Sequence, residues 1–262
     1  MPARSKTHGV RRLETTYTTL VWTPDGSQLT KSRPPGSYTR RRFKNELRIN
    51  RLLSVQKPPV VTAALVAHDV QTRSLTFEAL AGDPVGPKYP EQIADADIDA
   101  IVALARDLEP YNPRRRWLRR IESARRFALA RNIGLIGERE AAALIELARR
   151  HHKKLRFAHG DLTARNVLRC DPHVAPDDWE YALIDWEWAG LYPEGYDTAF
   201  LWFSLIDTEG GRARVERSVN VEEPAFLLCA LLIELWHLQW YIPAEFQTTH
   251  LATRDELIAR LC

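Results

Sequence analysis

Short apolar stretches make the first eighty residues read as mostly strand, and apolar positions then recur every three to four residues through most of the remainder. Thr16 to Thr23 is rich in β-branched and aromatic residues, and Pro24-Asp25-Gly26 is a turn signal. Ser27 to Ser32 follows as the return arm of a predicted hairpin. Phe43, Leu47, Ile49 and Leu53 then share one face of a predicted helix over Thr39 to Leu53. Val60 to Val66 and Ser74 to Leu80 read as two more strands, and Ala81 to Pro84 breaks the chain. Beyond it, helical spacing runs over Ala94 to Leu108, Arg114 to Ala130 and Glu138 to His152. Short apolar stretches at Val167 to Arg169 and Tyr181 to Ile184 interrupt that pattern. A strongly apolar helix then opens at Glu222-Glu223-Pro224, where acids and a proline suit a helix start.

The pattern predicts an α+β fold with a small β-rich lobe over residues 1–82 and a larger α-helical lobe over 83–262. A chain of 262 residues, 45% hydrophobic, has enough apolar surface for a sizeable core and is not of disordered type. The longest apolar run, Ala225 to Ile233, falls far short of the roughly 20 residues a bilayer span needs. No membrane span is therefore expected. The basic N-terminus lacks the apolar stretch of a secretory signal. Three widely separated cysteines argue against a disulfide framework, so a cytoplasmic location is expected. The formal charge of +3 is too small to call for nucleic acid, and none is expected as a partner. Its distribution is uneven: residues 1–82 are basic, whereas the remainder is acidic on balance. That asymmetry suits an anionic ligand at the first part and a cationic one at the second. Eight arginines over Arg114 to Arg131 read as the solvated face of an amphipathic helix.

The sharpest chemistry lies in HGDLTARNVL, His159 to Leu168, followed by ALIDWEWAG, Ala182 to Gly190. Asp161 and Asn166 stand five residues apart, and Asp185 ends a short apolar run. An asparagine carbonyl and an aspartate are the hard oxygen donors that hold Mg²⁺ on a triphosphate. A separate carboxylate, Asp161, could then take the proton of an attacking hydroxyl.

With HGDLTARNVL and IDWEWAGLYPEGYD, the chain resembles the aminoglycoside phosphotransferase and choline kinase-like enzymes, which have a bilobal protein-kinase-like fold. The resemblance implies that Asp161 is the catalytic base, that Asn166 and Asp185 are Mg²⁺ ligands, and that His159 and Asp197 brace the catalytic loop. Gly160, where eukaryotic protein kinases carry arginine, favours a small-molecule kinase. On the same template, Lys31 at the end of a strand reaches the α- and β-phosphates, and Glu46 pairs with it. Thr76 to Leu80, including Glu78 and Leu80, becomes the segment whose backbone meets adenine. ATP is the expected donor, and without a glycine-rich phosphate loop the choice between ATP and GTP stays open. Residues around Glu14, Thr15 and Thr16 are left to cover the phosphates.

The implied activity is transfer of a phosphoryl group from a nucleoside triphosphate to a hydroxyl of a small molecule. The acid-rich second part suits a cationic acceptor such as an aminoglycoside, which would place the protein in antibiotic resistance. Glu187 and Glu194 are its candidate binding residues. A kinase of an anionic sugar or glycolipid and a non-catalytic nucleotide-binding pseudokinase are the alternatives.

Overall fold

The computed structural model describes residues 11–14, 17–114, 116, 118–170, 180–240 and 247–262. Two compact units emerge, Met1–Pro84 with Val167–Ala189, and Val85–Asn166 with Gly190–Cys262. Against the boundary expected at residue 82, the first unit runs on to Pro84, and the chain returns to it for residues 167–189.

In the first unit, strands β1 (Arg12–Glu14), β2 (Thr19–Trp22) and β3 (Gln28–Ser32) run antiparallel. Strands β5 (Leu65–Asp69) and β6 (Ser74–Glu78) complete the sheet, in the order β1-β2-β3-β6-β5. The β2–β3 turn is tied by Asp25, whose Oδ1 accepts from the Thr23 hydroxyl at 2.6 Å and the Ser27 N–H at 3.1 Å. Helix α1 (Ser37–Val55) lays Phe43 and Leu47 on Leu75 and Phe77. A second sheet joins β4 (Val61–Thr62), β10 (Tyr181–Leu183), β9 (Val167–Cys170) and β7 (Gly82–Pro84). The stretch read as a chain break is therefore partly strand. Gly82 makes the pairing possible, because a Cβ there would stand 2.6 Å from the Arg169 carbonyl oxygen.

The second unit is helical: α2 (Asp95–Leu108), α3 (Ser123–Asn132), α4 (Glu138–His151), α5 (Tyr196–Ser204), α6 (Gly211–Arg217), α7 (Glu223–Trp240) and α8 (Gln247–Leu261). A two-stranded ribbon, β8 (Leu155–Ala158) with β11 (Gly190–Pro193), carries the loops that matter below. Helix α7 is buried from Ala225 to Leu235 and apolar there except for Glu234, because α3, α4, α5 and α8 all pack on it.

The helix expected over Arg114 to Ala130 begins only at Ser123. Before it, the Leu191 N–H donates to Arg119 O at 2.7 Å and the Ile121 N–H donates to Leu191 O at 3.0 Å. These residues are thus drawn out alongside β11. Pairing with a distant strand overrides local helical spacing.

Half-buried His152 joins three helices of this unit. Its Nδ1 accepts from the Ser123 hydroxyl at 2.7 Å, and Nε2 donates to Ala225 O at 3.1 Å. Burial pushes its pKa down to about 4. The unfolded chain gains the proton near pH 6.5 while the folded chain resists it until about pH 4. Stability is therefore expected to fall as pH drops through that window. His152→Gln should flatten the dependence in urea titrations at pH 7 and 4.5, and an equal pH loss in both proteins would remove His152 as the cause.

Candidate functional site

Strand β8 leads directly into the His159–Asn166 loop. Gly160 has φ 81°, a left-handed conformation that residues with a Cβ adopt at a penalty, and this turn sets the direction of Asp161. Asp197, in the first turn of α5, is buried beneath the loop. Its two oxygens accept from the His159 N–H at 2.7 Å and the Gly160 N–H at 2.8 Å. Burial raises the Asp197 pKa, while His159 and the two N–H donors oppose the rise. A carboxylate clamping successive amides fixes the loop without reaching solvent.

Asn166 ends a short 3₁₀ turn, and its Nδ2 donates to Asp161 O at 2.8 Å and to Asp161 Oδ2 at 3.1 Å. The amide nitrogen is thus committed to the loop, which leaves the side-chain oxygen as its free acceptor end among the described residues. Asp161 keeps a 20% exposed side chain, as a proton acceptor for an outside molecule must. Lys88, outside every sequence motif, brings its Nζ to 3.6 Å from Asp161 Oδ1. Glu194 is half-buried with Arg156 at 3.3 Å.

The first unit holds the other charged cluster. Lys31, buried on β3, donates to Glu46 Oε1 at 2.8 Å and to Asp185 Oδ1 at 2.7 Å. Burial disfavours its charge, yet Asp185, Glu46 and Glu187 together hold its pKa above the ordinary value. Arg33 lies two residues on, as strand alternation requires for the same face. It binds Glu46 Oε2 at 2.6 Å and also pairs with Glu187. Arg42 on α1 completes the cluster at 2.9 Å from Glu187 Oε1. Asn45 Nδ2 pins the backbone here, donating to Glu187 O at 2.8 Å and Ala189 O at 3.1 Å. Asp185 has φ 66°, a left-handed conformation that aspartate tolerates better than most residues. Its side chain is 33% exposed.

Carboxylate oxygens of Glu46, Asp185 and Glu187 lie within 4.8 Å of one another. Lys31, Arg33 and Arg42 already neutralise the three, so the trio by itself is a salt-bridge network. The carboxylate of Asp185 in the first unit and the side-chain oxygen of Asn166 in the second are each hard oxygen donors of the kind that binds divalent cations.

Glu187 departs from the sequence expectation. Rather than facing a cationic acceptor, it is 7% exposed and bound by two arginines. Burial and the neighbouring Asp185 carboxylate raise its pKa to about 7 against the pull of Lys31, Arg33 and Arg42. Trp186 beside it is a core residue whose Nε1 donates to Thr62 Oγ1 at 2.8 Å. Glu78 is exposed at the end of β6, and Leu80 packs against Leu168, Cys170 and Ala182. Thr15 and Thr16, proposed from sequence to cover phosphates, lie outside the described residues.

Arg33, Arg42 and Lys88 were not anticipated. For Arg33 a signal existed: Lys31 and Arg33 repeat at the interval of Asp185 and Glu187. Nothing in the sequence marks Lys88.

Residues 11–226 match the Phosphotransferase enzyme family. No curated protein matches the sequence significantly. Among solved structures, choline kinase from Streptococcus pneumoniae superposes with a TM-score of 0.66 at 13% identity, over 96% of this chain and 93% of that one. A choline/ethanolamine kinase family protein from Mesorhizobium loti gives a TM-score of 0.64 at 14% identity, over 99% and 88%. An aminoglycoside phosphotransferase complexed with GDP and kanamycin gives 0.63 at 14%, over 98% and 93%. These likenesses show a kinase-like α+β fold.

Proposed function

This chain belongs to the phosphotransferase enzyme family, and on that premise we propose that it moves the γ-phosphoryl group of ATP to a hydroxyl of a small molecule. The observation that carries the reading is the Lys31 ammonium bound at once by Glu46 and Asp185, at 2.8 and 2.7 Å. A buried cation held between two carboxylates is poised to meet polyphosphate oxygens.

In this reading Asp161 accepts the proton of the acceptor hydroxyl. The acceptor oxygen bonds to the γ-phosphorus, the bond from that phosphorus to the bridging oxygen breaks, and ADP leaves. His159 and Asp197 hold the loop so that Asp161 needs no reorganisation. Lys31, oriented by Glu46, binds the α- and β-phosphates, and the backbone between Glu78 and Leu80 meets the base. Asn166 and Asp185 would hold Mg²⁺, which when bound neutralises phosphate charge. The GDP complex of a structural neighbour keeps GTP as an alternative donor. Intact Asp161, Asn166 and Asp185 count against a pseudokinase.

Thermal-shift titration tests the donor half. Mg·ATP or Mg·GTP should stabilise the protein by about 2.7 kcal/mol at a hundredfold excess over Kd. Neither nucleotide raising the melting temperature at millimolar concentration would sink the reading.

Two acceptor classes fit a hydroxyl kinase. A cationic antibiotic such as an aminoglycoside is supported by the kanamycin bound to a structural neighbour. For such an acceptor KM should rise with ionic strength as charges are screened. An anionic sugar or glycolipid is favoured by a different observation: Glu187 and Glu194 are taken up by arginines, whereas a lysine stands beside Asp161.

A further inference from the structure

The surroundings of Lys88 carry more than its distance to Asp161. His237, on α7, is buried between aromatic rings, with its ring centroid 4.3 Å from that of Phe203 and 5.5 Å from that of Phe200. Its Nδ1 donates to Ile233 O at 2.9 Å, so the opposite nitrogen, Nε2, is the acceptor end. Lys88 Nζ stands 3.4 Å from that Nε2. Burial, together with the Lys88 charge, holds the His237 pKa well below its ordinary value, so the ring stays neutral and able to accept. Rings of Tyr89 and Phe200 flank the ammonium at 5.6 Å each.

An ammonium has three N–H donors. One meets His237, and Asp161 at 3.6 Å is an ion-pair partner beyond hydrogen-bond reach, which leaves a donor to spare among the described residues. The Lys88 side chain is 29% exposed, enough for an outside molecule to reach it and too little for full hydration. A partly dehydrated cation with a spare donor, next to a carboxylate that faces solvent, calls for an oxygen with negative charge. A cationic acceptor would instead bring like charges together.

We propose that Lys88 is a specificity-determining residue: held by His237 and Asp161, its ammonium binds an anionic oxygen that the acceptor carries near its reacting hydroxyl. The substrate class is then a hydroxyl compound bearing a carboxylate or a phosphate. His237 acts through Lys88 as its positioning residue. The inference rests on the reading of Asp161 as the base, and extends it to the acceptor.

The test is calorimetric titration of the full chain in the presence of Mg²⁺ and a non-hydrolysable ATP analogue. The probes are gluconate, glucose 6-phosphate, sorbitol and kanamycin, so that carboxylate, phosphate, neutral and cationic polyols are compared directly. Wild type should bind one of the two anionic probes roughly 10–100-fold more tightly than sorbitol, the range of a charged hydrogen bond, and kanamycin least. Which anion ranks first identifies carboxylate or phosphate as the source. Lys88→Gln should erase the difference between that anion and sorbitol, and Lys88→Arg should retain most of it. A purely structural lysine would weaken all probes together and leave the ratio unchanged. The proposal is overturned if neither anion binds, if kanamycin ranks first, or if Lys88→Gln keeps the preference. Failure of the ATP analogue itself to bind would be a separate result, against the phosphotransferase reading.

Discussion

Asp161→Ala should lower phosphoryl transfer by roughly 10²–10⁴-fold, the usual loss when a general base is removed. Nucleotide affinity should stay near that of wild type, because Asp161 takes no part in the Lys31 cluster. The loop should survive the change. Its clamp is Asp197 on the amides of His159 and Gly160, and neither bond involves the Asp161 side chain. Asn166 also keeps its bond to the Asp161 backbone oxygen at 2.8 Å. Lys88 loses one partner but retains His237. The expected signature is therefore a fall in kcat with an unchanged melting temperature and an unchanged nucleotide Kd. A variant that turned over at near wild-type rate would remove Asp161 from the chemistry.

Asp185→Asn should act on the other half of the reaction. Asparagine tolerates the left-handed φ of 66° as aspartate does, so the backbone is retained while the charge is lost. Lys31 then keeps its hydrogen bond to Glu46 and loses the one to a charged Asp185, and a proposed cation ligand becomes neutral. Mg·ATP affinity should drop by more than the roughly 10–100-fold typical of losing a mere supporting partner of a metal site. Magnesium-free nucleotide should be affected much less. Measuring Kd with and without Mg²⁺ separates the two, and equal losses in both would make Asp185 a partner of Lys31 alone.

What the sequence revealed and what it hid follows the range of the interactions. The bond between Asn166 and Asp161 spans five residues, and the motif HGDLTARNVL contains both ends of it. Lys31 and Glu46 were legible because each could be assigned to an element, a strand end and a helix, with a turn between them. Arg33 and Glu187 are 154 residues apart, and each looks like an ordinary surface charge until the strand and the turn after Asp185 are assembled. Their mutual burial is what takes Glu187 away from the acceptor role its neighbours suggested. The extended course of Arg119 to Ile121 has the same origin, since Leu191 decides it from elsewhere in the chain. Lys88 shows the limit most plainly. A lone lysine in a polar stretch acquires meaning only from Asp161 and His237, neither of which is local to it.

The central claim is transfer of phosphate to an alcohol, and phosphorus NMR of the wild-type protein with Mg·ATP and a panel of hydroxyl acceptors tests it most directly. A new phosphomonoester resonance should grow in step with ADP, and it should be absent with Asp161→Ala. ATP left intact across the panel, or cleaved only to inorganic phosphate at the same rate by both proteins, would contradict that claim.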